Sequence, residues 1–210
     1  HLDHIYGNAA FNNPNTKFVG HSKLPKAMQF RKDFYETLNL RYLKIPLDKS
    51  IQIPPSILVQ ENESKIFDLG EREIKITAYP PAHTDNDVTI TDNATGTLWT
   101  GDLLFIERTP VIDGDIHGFI DVLAQLISLD NINLVIPGHG TPTKNWQEAF
   151  KKSKDYFITL RDDIRHSIAE DHGLRKAIET VAKSESQKWE LFDVQNARNI
   201  NQVFPKLEWE

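Results

Sequence analysis

Four short motifs rich in histidine and aspartate constrain this chain more than any other feature. The chain opens with HLDH, and the other motifs are AHT around His83, GD at Asp102 and PGHG around His139. Each of these three comes just after a segment with the alternating or β-branched pattern of a strand. Side chains that follow strands of one sheet can converge at its edge, where rigid strands hold them in position. The spacing therefore predicts that the motifs form one site.

The residue types in these motifs are those of a metal site without sulfur. The chain has no cysteine, so a metal must be held by nitrogen and oxygen. Imidazole and carboxylate are ligands of zinc and of other divalent ions. If the first motif is extended, His1 and Asp3 point the same way and His4 points elsewhere, so one short segment reaches two ions. The candidate ligands are His1, Asp3, His4, His83, Asp102 and His139.

Each motif alone is weak evidence, because polar termini, turns around histidine and aspartates at strand ends are common without a metal. Their occurrence together, in order and at strand ends, favours the metal site. Asp85 and Asp87 are either orienting partners of His83 or turn residues. The remaining histidines lack partners at ligand spacing, and we expect surface or capping roles for them. They are His21, His117, His166 and His172.

The remaining pattern predicts a mixed α and β protein with a central block of strands. A loop with three prolines at residues 45–56 is predicted to overhang the site. DNATG predicts a hairpin turn. The first half is predicted to contain a short helix with a turn at 4–12, a strand in TKFVG and a helix that is capped by Ser22 and reaches about Tyr42. Strands are predicted in SKIFDLG, REIKITAYP, DVTITD and TLWTGD, followed by a helix at 116–129 and a strand in NLVIPGHG. A last long helix is predicted to begin at a capping box of Asn145 and Glu148 and to end at Gly173, and the remainder is predicted to be helical.

Length and charge exclude several classes of protein. A chain of 210 residues is most simply a single domain. The net charge is −6 and the isoelectric point is about 5.8, so a general attraction to nucleic acid is not expected. The chain has no apolar run near the roughly 18 residues of a membrane span. We therefore expect no nucleic-acid partner and no membrane span.

In this order, the motifs HLDH, AHT, GD and PGHG resemble the metallo-β-lactamase superfamily, whose signature is H-x-H-x-D-H, a lone His, a bridging Asp and a final His. The resemblance implies an α/β fold, a four-layer αβ/βα sandwich. Because HLDH matches the signature from its second His onward, it also implies that residues 1–210 form a single domain that lacks its N-terminal strands. The sheet left uncovered would favour self-association.

The resemblance also implies roles for the six residues. His1 and His83 would belong to a first metal site, and Asp3, His4 and His139 to a second, with Asp102 bridging two zinc ions; iron or manganese are alternatives. A metal-bound hydroxide would attack the ester, thioester, lactone or amide carbonyl of a small molecule, with Asp3 as a catalytic residue that orients it or passes a proton. The first site would lack one histidine of the family, so we expect weak occupancy there and low activity of this chain.

A narrower resemblance concerns the function class. PPAHTDNDVTI, GTLWTGDLLFIERTPVIDG and ARNINQVFPKLEWE are similar to quinoprotein relay system zinc metallohydrolases, which implies a periplasmic or exported protein, with the cytoplasm as the alternative. Many di-zinc β-lactamases have cysteine where Asp102 stands, so the aspartate favours enzymes of the glyoxalase II type over β-lactamase activity. A non-catalytic or redox di-metal protein linked to quinoprotein dehydrogenases is the other alternative, although redox relatives have glutamate in place of His1.

Overall fold

The structure, a computed structural model, describes residues 1–46 and 52–210 and has the predicted mixed α/β architecture. The helices are α1 Leu2–Ile5, α2 Leu24–Leu43, α3 Ile116–Ile127, α4 Trp146–Ala169, α5 Leu174–Thr180 and α6 Phe192–Leu207. The strands are β1 Val19–His21, β2 Ile57–Val59, β3 Ser64–Asp68, β4 Glu73–Ala78, β5 Val88–Asp92, β6 Thr97–Trp99 and β7 Leu134–Ile136.

The central sheet places the carboxyl ends of three strands at one edge. Its order is β3-β4-β5-β6-β7, and every neighbouring pair is antiparallel except β6 and β7, which are parallel. Strands β4 and β6 both run opposite to β5, so β4, β6 and β7 share one direction. The loops that leave these three strands carry the AHT, GD and PGHG motifs. The topology therefore brings the motifs to the same edge, as predicted.

One face of this sheet packs against α3 and α4. Leu98 and Val135, which are paired across β6 and β7, join the cluster of buried side chains that these helices provide. The predicted apolar stripe of α3 is confirmed, since Phe119, Leu123 and Leu126 are fully buried. The ring of Phe119 lies 4.4 Å from the ring of Phe157 on α4. These contacts form the main core, which fixes the sheet beneath the site.

The other sheet face is covered in part by a separate two-stranded parallel sheet of β1 and β2. Val59 of β2 packs in one cluster with Ile76 and Ala78 of β4. Ile90 and Trp99 continue the row of Ile76 on the same face, and they are 37% and 36% exposed. Cover on this face is therefore complete near β4 and partial near β6. Self-association through the sheet stays a prediction.

Several helix boundaries differ from those that the sequence indicated. Helix α2 begins one residue later than expected, because Lys23 and not Ser22 is its N-cap. The capping box at the start of α4 was wrong, because the Asn145 side chain makes no cap hydrogen bond. Gly173 does not end α4, which stops at Ala169, and instead precedes α5. Residues 47–51 of the predicted overhanging loop lie outside the described residues. No helix of the described part combines the length and apolarity needed to cross a membrane.

The DNATG hairpin turn between β5 and β6 is confirmed, and Asp92 organises it. The Asp92 carboxylate is fully buried and accepts hydrogen bonds from the backbone N–H of Ala94 (3.0 Å) and the hydroxyl of Thr95 (2.7 Å). The Arg72 guanidinium forms an ion pair with it. Arg72 and, next, Thr95 lower the pKa of Asp92 from 3.8 to about 2.

The core contact between α3 and α4 predicts the effect of Phe157→Ala. Removing this fully buried ring leaves a cavity, so the free energy of unfolding should fall by about 3–5 kcal/mol. The matched control is Phe30→Ala, because Phe30 is 87% exposed and its loss should change stability by no more than about 0.5 kcal/mol. Urea unfolding of both variants measures the difference, and equal effects would contradict the assignment of the core.

The buried Asp92 predicts a stability difference that depends on pH. A depressed pKa stabilises the fold above the unfolded value of 3.8, and this stabilisation is lost as pH falls from about 4 toward about 2. Asp92→Asn should therefore unfold at lower urea concentration than the wild type at pH 7. The two midpoints should approach each other at about pH 2. A difference that is constant across this range would show that the carboxylate charge is not the cause.

Candidate metal centre

All six candidate ligands come together at the sheet edge. His83 lies in the loop after β4, and Asp102 lies in a 3-10 turn, Gly101–Leu103, after β6. His139 follows β7, where its backbone pairs with Phe105. The HLDH motif reaches the same place through α1 and the residue before it. Segments far apart in sequence thus deliver their side chains to one point.

Asp102 lies at the centre, and its two carboxylate oxygens face different residues. Oδ2 is 3.2 Å from Nε2 of His83 and 3.9 Å from Nδ1 of His1. Oδ1 is 3.2 Å from Nε2 of His4 and 3.3 Å from Nε2 of His139. The carboxylate therefore divides the cluster into two halves, each of which has its own oxygen.

The donor atoms form two groups that could each hold an ion. Donor atoms of His1, His83 and Asp102 lie within 4.8 Å of one another, and so do those of Asp3, His4 and His139. The second group is joined through Oδ2 of Asp3, which is 3.4 Å from Nε2 of His139 and 3.7 Å from Nε2 of His4. We call His1, His83 and Oδ2 of Asp102 the His1 half. We call Asp3, His4, His139 and Oδ1 of Asp102 the His139 half. The grouping has the arrangement that the family resemblance implies.

The first motif reaches both halves in a different way from the one expected. The prediction of an extended segment was wrong, because Leu2–Ile5 forms a helical turn in which the N–H of His4 bonds to the carbonyl of His1 at 3.3 Å. In a helical turn, side chains two residues apart point in different directions. Consequently His1 belongs to one half, while Asp3 belongs with His4 in the other.

The atoms at the junction fit a cation. Nδ1 of His83 donates to the carbonyl of Val111 at 2.7 Å, so its Nε2 is left as an acceptor. Nε2 of His1 bonds to the Asp113 carboxylate at 2.7 Å, which leaves Nδ1 facing Nε2 of His83 at 3.1 Å. Two such lone pairs need a proton or a metal between them. Within the described residues, Oδ1 of Asp102 is also buried without a hydrogen-bond partner.

The protonation equilibria show strong coupling within the cluster. The nearby carboxylate of Asp102 and then the hydrogen bond to Asp113 raise the pKa of His1 to about 9. Asp102 also raises the pKa values of His4 and His139. Burial raises the pKa of Asp102, but the four imidazoles around it lower that pKa by more, to well below its ordinary range. His1, His4 and His139 thus hold protons more tightly than free imidazoles do, and a metal ion would displace these protons.

Gly138, the first glycine of PGHG, leaves room for the carboxylate. A Cβ atom at this position would lie 2.1 Å from Oδ1 of Asp102 and 2.6 Å from the carbonyl carbon of Gly101. The Gly138 N–H donates to the carbonyl of Gly101 at 2.8 Å, which ties the loop after β7 to the turn after β6. A side chain here would therefore displace the atom on which the His139 half depends.

Sequence reasoning missed Asp113 and Val111, the partners of the two histidines in the His1 half. Asp87 accepts from the backbone and hydroxyl of Thr84, and Asp85 accepts from Asn86, so both are turn residues of the His83 loop. Asp113 follows Asp102 by eleven residues, outside the four ligand motifs although inside the stretch GTLWTGDLLFIERTPVIDG. Val111 contributes only a backbone carbonyl, which no sequence pattern reports.

The other four histidines stay outside the cluster. His21 has the capping role of the two that were expected, although it is fully buried and not on the surface. Its Nδ1 accepts from the N–H of Lys23 before α2, and its Nε2 bonds to the carbonyl of Tyr79. His117 pairs with Glu210. His166 is in the last turn of α4 and His172 is exposed after it.

Two cavities adjoin the cluster and share His1. The smaller, about 220 Å³, is bordered by His4, His83 and Asp102 together with apolar residues of β1 and α2. The larger, about 710 Å³, lies between α2 and the segment from Asp113 to Asp115. Small-molecule sites typically enclose 300–1,000 Å³. The larger cavity lies in this range and reaches the cluster at His1, whereas the smaller one lies below it.

Comparison with known proteins identifies the sequence pattern. The sequence model of the metallo-beta-lactamase superfamily matches residues 1–156. No curated protein sequence matches the chain. Among solved structures, the stereoselective inverting sec-alkylsulfatase Pisa1 from Pseudomonas sp. is similar with a TM-score of 0.62 and 13% identity over 73% of this chain. A double mutant of the sec-alkyl sulfatase PisA1 is similar with a TM-score of 0.70 and 12% identity over 90% of this chain. The chain spans only 27% and 36% of these two structures.

Two further structures cover a comparable part of the fold. A metallo-beta-lactamase family protein from Thermus thermophilus has a TM-score of 0.56 and 13% identity, covering 92% of this chain and 67% of that one. BLEG-1, a B3 metallo-beta-lactamase, has a TM-score of 0.53 and 24% identity, covering 70% of this chain and 69% of that one. At these identities the likeness concerns the fold.

The close approach of Gly138 to Asp102 predicts that Gly138→Ala weakens metal binding. The added Cβ must push Oδ1 of Asp102 away, so we expect the affinity for zinc to fall by more than about tenfold in isothermal titration. Gly173→Ala is the control, because a Cβ there meets nothing within 4 Å. If Gly138→Ala binds zinc like the control, Asp102 does not hold the metal in the position described.

Proposed function

The chain belongs to the metallo-β-lactamase superfamily, and we propose that it is a metal-dependent hydrolase with two ions bridged by Asp102. The observation that carries this proposal is the division of the Asp102 carboxylate, with one oxygen toward His1 and His83 and the other toward His4 and His139. Each oxygen thus has its own set of imidazole nitrogens, which is the arrangement that a carboxylate shared by two ions needs.

The donor set favours zinc, with iron or manganese as alternatives. His1, His83 and Oδ2 of Asp102 would hold one ion, and Asp3, His4, His139 and Oδ1 of Asp102 the other. Nitrogen and oxygen ligands in sets of three or four are typical of zinc sites in enzymes. A metal pair so held would lower the pKa of bound water and supply a nucleophile at neutral pH.

The charges of the site support attack on a carbonyl. Asp3 and Asp102 contribute two negative charges against the four positive charges of two divalent ions, so two positive charges remain. Such an excess stabilises the oxyanion that forms when a carbonyl carbon is attacked. Asp3 has a 54% exposed side chain and lies beside His4 and His139. We assign Asp3 the catalytic role of orienting the attacking water and accepting its proton.

The substrate class follows from this chemistry and from the adjoining cavities. We propose a small molecule with an ester, thioester, lactone or amide bond, and no nucleic-acid partner. β-Lactams belong in the same assay as the alternative amide substrate. Sulfate esters belong there as well, because the chain shares its fold with a sec-alkylsulfatase. A non-catalytic or redox role, the link to quinoprotein dehydrogenases and an exported location stay predictions.

The proposed roles predict distinct effects of two substitutions on hydrolysis of this substrate panel. Asp3→Asn should lower kcat by about 10²–10⁴-fold at saturating zinc, because the amide cannot accept the proton. Asp102→Asn should abolish both activity and binding of the second ion, because it removes the bridging charge. His172→Ala, which changes an exposed histidine outside the cluster, should retain wild-type rates.

Chelation provides the independent arm of this experiment. Removal of metal should abolish hydrolysis of any substrate in the panel, and added zinc should restore it. Hydrolysis that persists in the metal-free protein and in Asp102→Asn would contradict the proposed mechanism. Tight metal binding without hydrolysis of any member would favour the non-catalytic alternative.

A further inference from the structure

We propose that helix α6, which lies beyond the residues matched by the family, acts with Asp113 to position the two histidines of the His1 half; this inference rests on the proposed metal-dependent function. The link between them is the segment 110–114. This segment lies between α6 and the metal centre and contacts both.

The segment 110–114 supplies the hydrogen-bond acceptor of each histidine in the His1 half. The carbonyl of Val111 accepts from Nδ1 of His83 at 2.7 Å. The Asp113 carboxylate is 2.7 Å from Nε2 of His1. In addition, the N–H groups of Asp113 and Gly114 both donate to the carbonyl of His83 at 2.8 Å. The segment therefore determines the ring orientation of both histidines and holds the backbone of one.

Four residues of α6 attach this segment to the helix through five hydrogen bonds. Asn199 uses both ends of its amide, since Nδ2 donates to the carbonyl of Pro110 at 2.7 Å and Oδ1 accepts from the N–H of Ile112 at 3.1 Å. Arg198 donates to Oδ1 of Asp113 at 2.7 Å, and Gln202 donates to its carbonyl at 2.9 Å. Lys206 donates to the carbonyl of Gly114. Residues at these spacings share one face of a helix.

Asn199 is the anchor of this attachment. It is fully buried, and its amide bonds bracket Val111, whose carbonyl holds His83. Its Nδ2 also donates to the hydroxyl of Tyr156, which is itself buried on α4. A buried amide with all these bonds resists rotation, because any other orientation leaves backbone groups unpaired. The position of the Val111 carbonyl is thereby tied to the core.

Asp113 acts on His1 through both its position and its charge. A carboxylate that accepts from the far nitrogen of a ligating imidazole fixes the tautomer and increases the ligand's basicity. Arg198 of α6 and Arg31 of α2, the latter at 3.5 Å, balance the charge of Asp113. The side chain is therefore held between two helices while it orients Nδ1 of His1 toward His83 and Asp102.

The His139 half has a different support. The carbonyl of His139 accepts from the N–H of Ile106 at 2.9 Å, and the ring of Phe105 stacks on the His139 ring at 5.2 Å. These contacts come from the chain after Asp102 rather than from α6. Changes in α6 or Asp113 should therefore alter one half of the centre and leave the other unchanged, which a general loss of structure would not do.

The test is a zinc titration followed through the ring nitrogen resonances of individual histidines by NMR. This measurement reads His1 and His83 separately from His4 and His139 and does not depend on enzymatic activity. The variants are Asp113→Ala, Asp113→Asn and Asn199→Ala. The control is Asn201→Ala, because Asn201 is exposed on the same helix and bonds only to the carbonyl of Ala197 among the contacts described for its side chain.

We expect Asp113→Ala and Asn199→Ala to weaken zinc binding at His1 and His83 by about 10–100-fold, the usual effect of losing an orienting partner. Binding at His4 and His139 should stay within about twofold of the wild type. Asp113→Asn should lose less than Asp113→Ala, because its amide oxygen still accepts from His1. Asn201→Ala should match the wild type. If Asn199→Ala does not fold, the two Asp113 variants carry the test, since they remove no buried amide.

Three results would overturn the inference. Unchanged binding at His1 and His83 in the variants would show that the segment does not position them. Equal weakening in both halves would indicate a general structural effect. If zinc shifts only the resonances of His4 and His139 in the wild type, the His1 half is not a metal site and the inference fails. The proposed function would still have a metal centre in the His139 half. Absence of zinc shifts at all four histidines would instead contradict the proposed function itself.

Discussion

The buried carboxylate of Asp102, surrounded by four imidazoles, is the interaction on which the rest of the site depends. A carboxylate that is removed from water is costly unless positive charge or hydrogen-bond donors compensate it. Here the compensation comes from three separate chain segments, so the fold must bring all of them to the turn that carries Asp102. The shared direction of β4, β6 and β7 brings the His83 and His139 loops to this turn, and the turn of α1 adds the third segment.

The two halves of the centre are held by different parts of the fold. The His139 half is supported by the chain that leaves β6, through the Phe105 ring and the pairing of Ile106 with His139. The His1 half is supported through the segment 110–114 by helix α6. Helix α6, outside the part of the chain that the family pattern covers, is thus connected to the candidate metal centre by a short series of hydrogen bonds. Because the supports differ, a substitution in one of them would change the metal affinity of one half without changing that of the other.

Features with a local signature could be predicted from the sequence. The four motifs predicted the cluster because all of them carry metal-ligand residue types and three of them follow a strand. The stripes of α3 and α4 predicted their buried faces from the helical period. The conformation of the first motif could not be predicted from its spacing, because the sequence HLDH is compatible with both a helical turn and an extended segment. Asp113 was missed because its partner His1 lies 112 positions away in the sequence. Asn199 was missed because its partners in the segment 110–114 lie 87 and 89 positions away. Contacts of that kind depend on tertiary packing and leave no periodic signal.

Crystals of the zinc-loaded protein, measured at the zinc absorption edge, test the central claim most directly. We expect an anomalous peak next to Oδ1 of Asp102, among Asp3, His4 and His139. We expect a second peak of lower occupancy next to Oδ2, between His1 and His83 and about 3.5–4 Å from the first. Zinc that binds away from both oxygens of Asp102 would contradict the account.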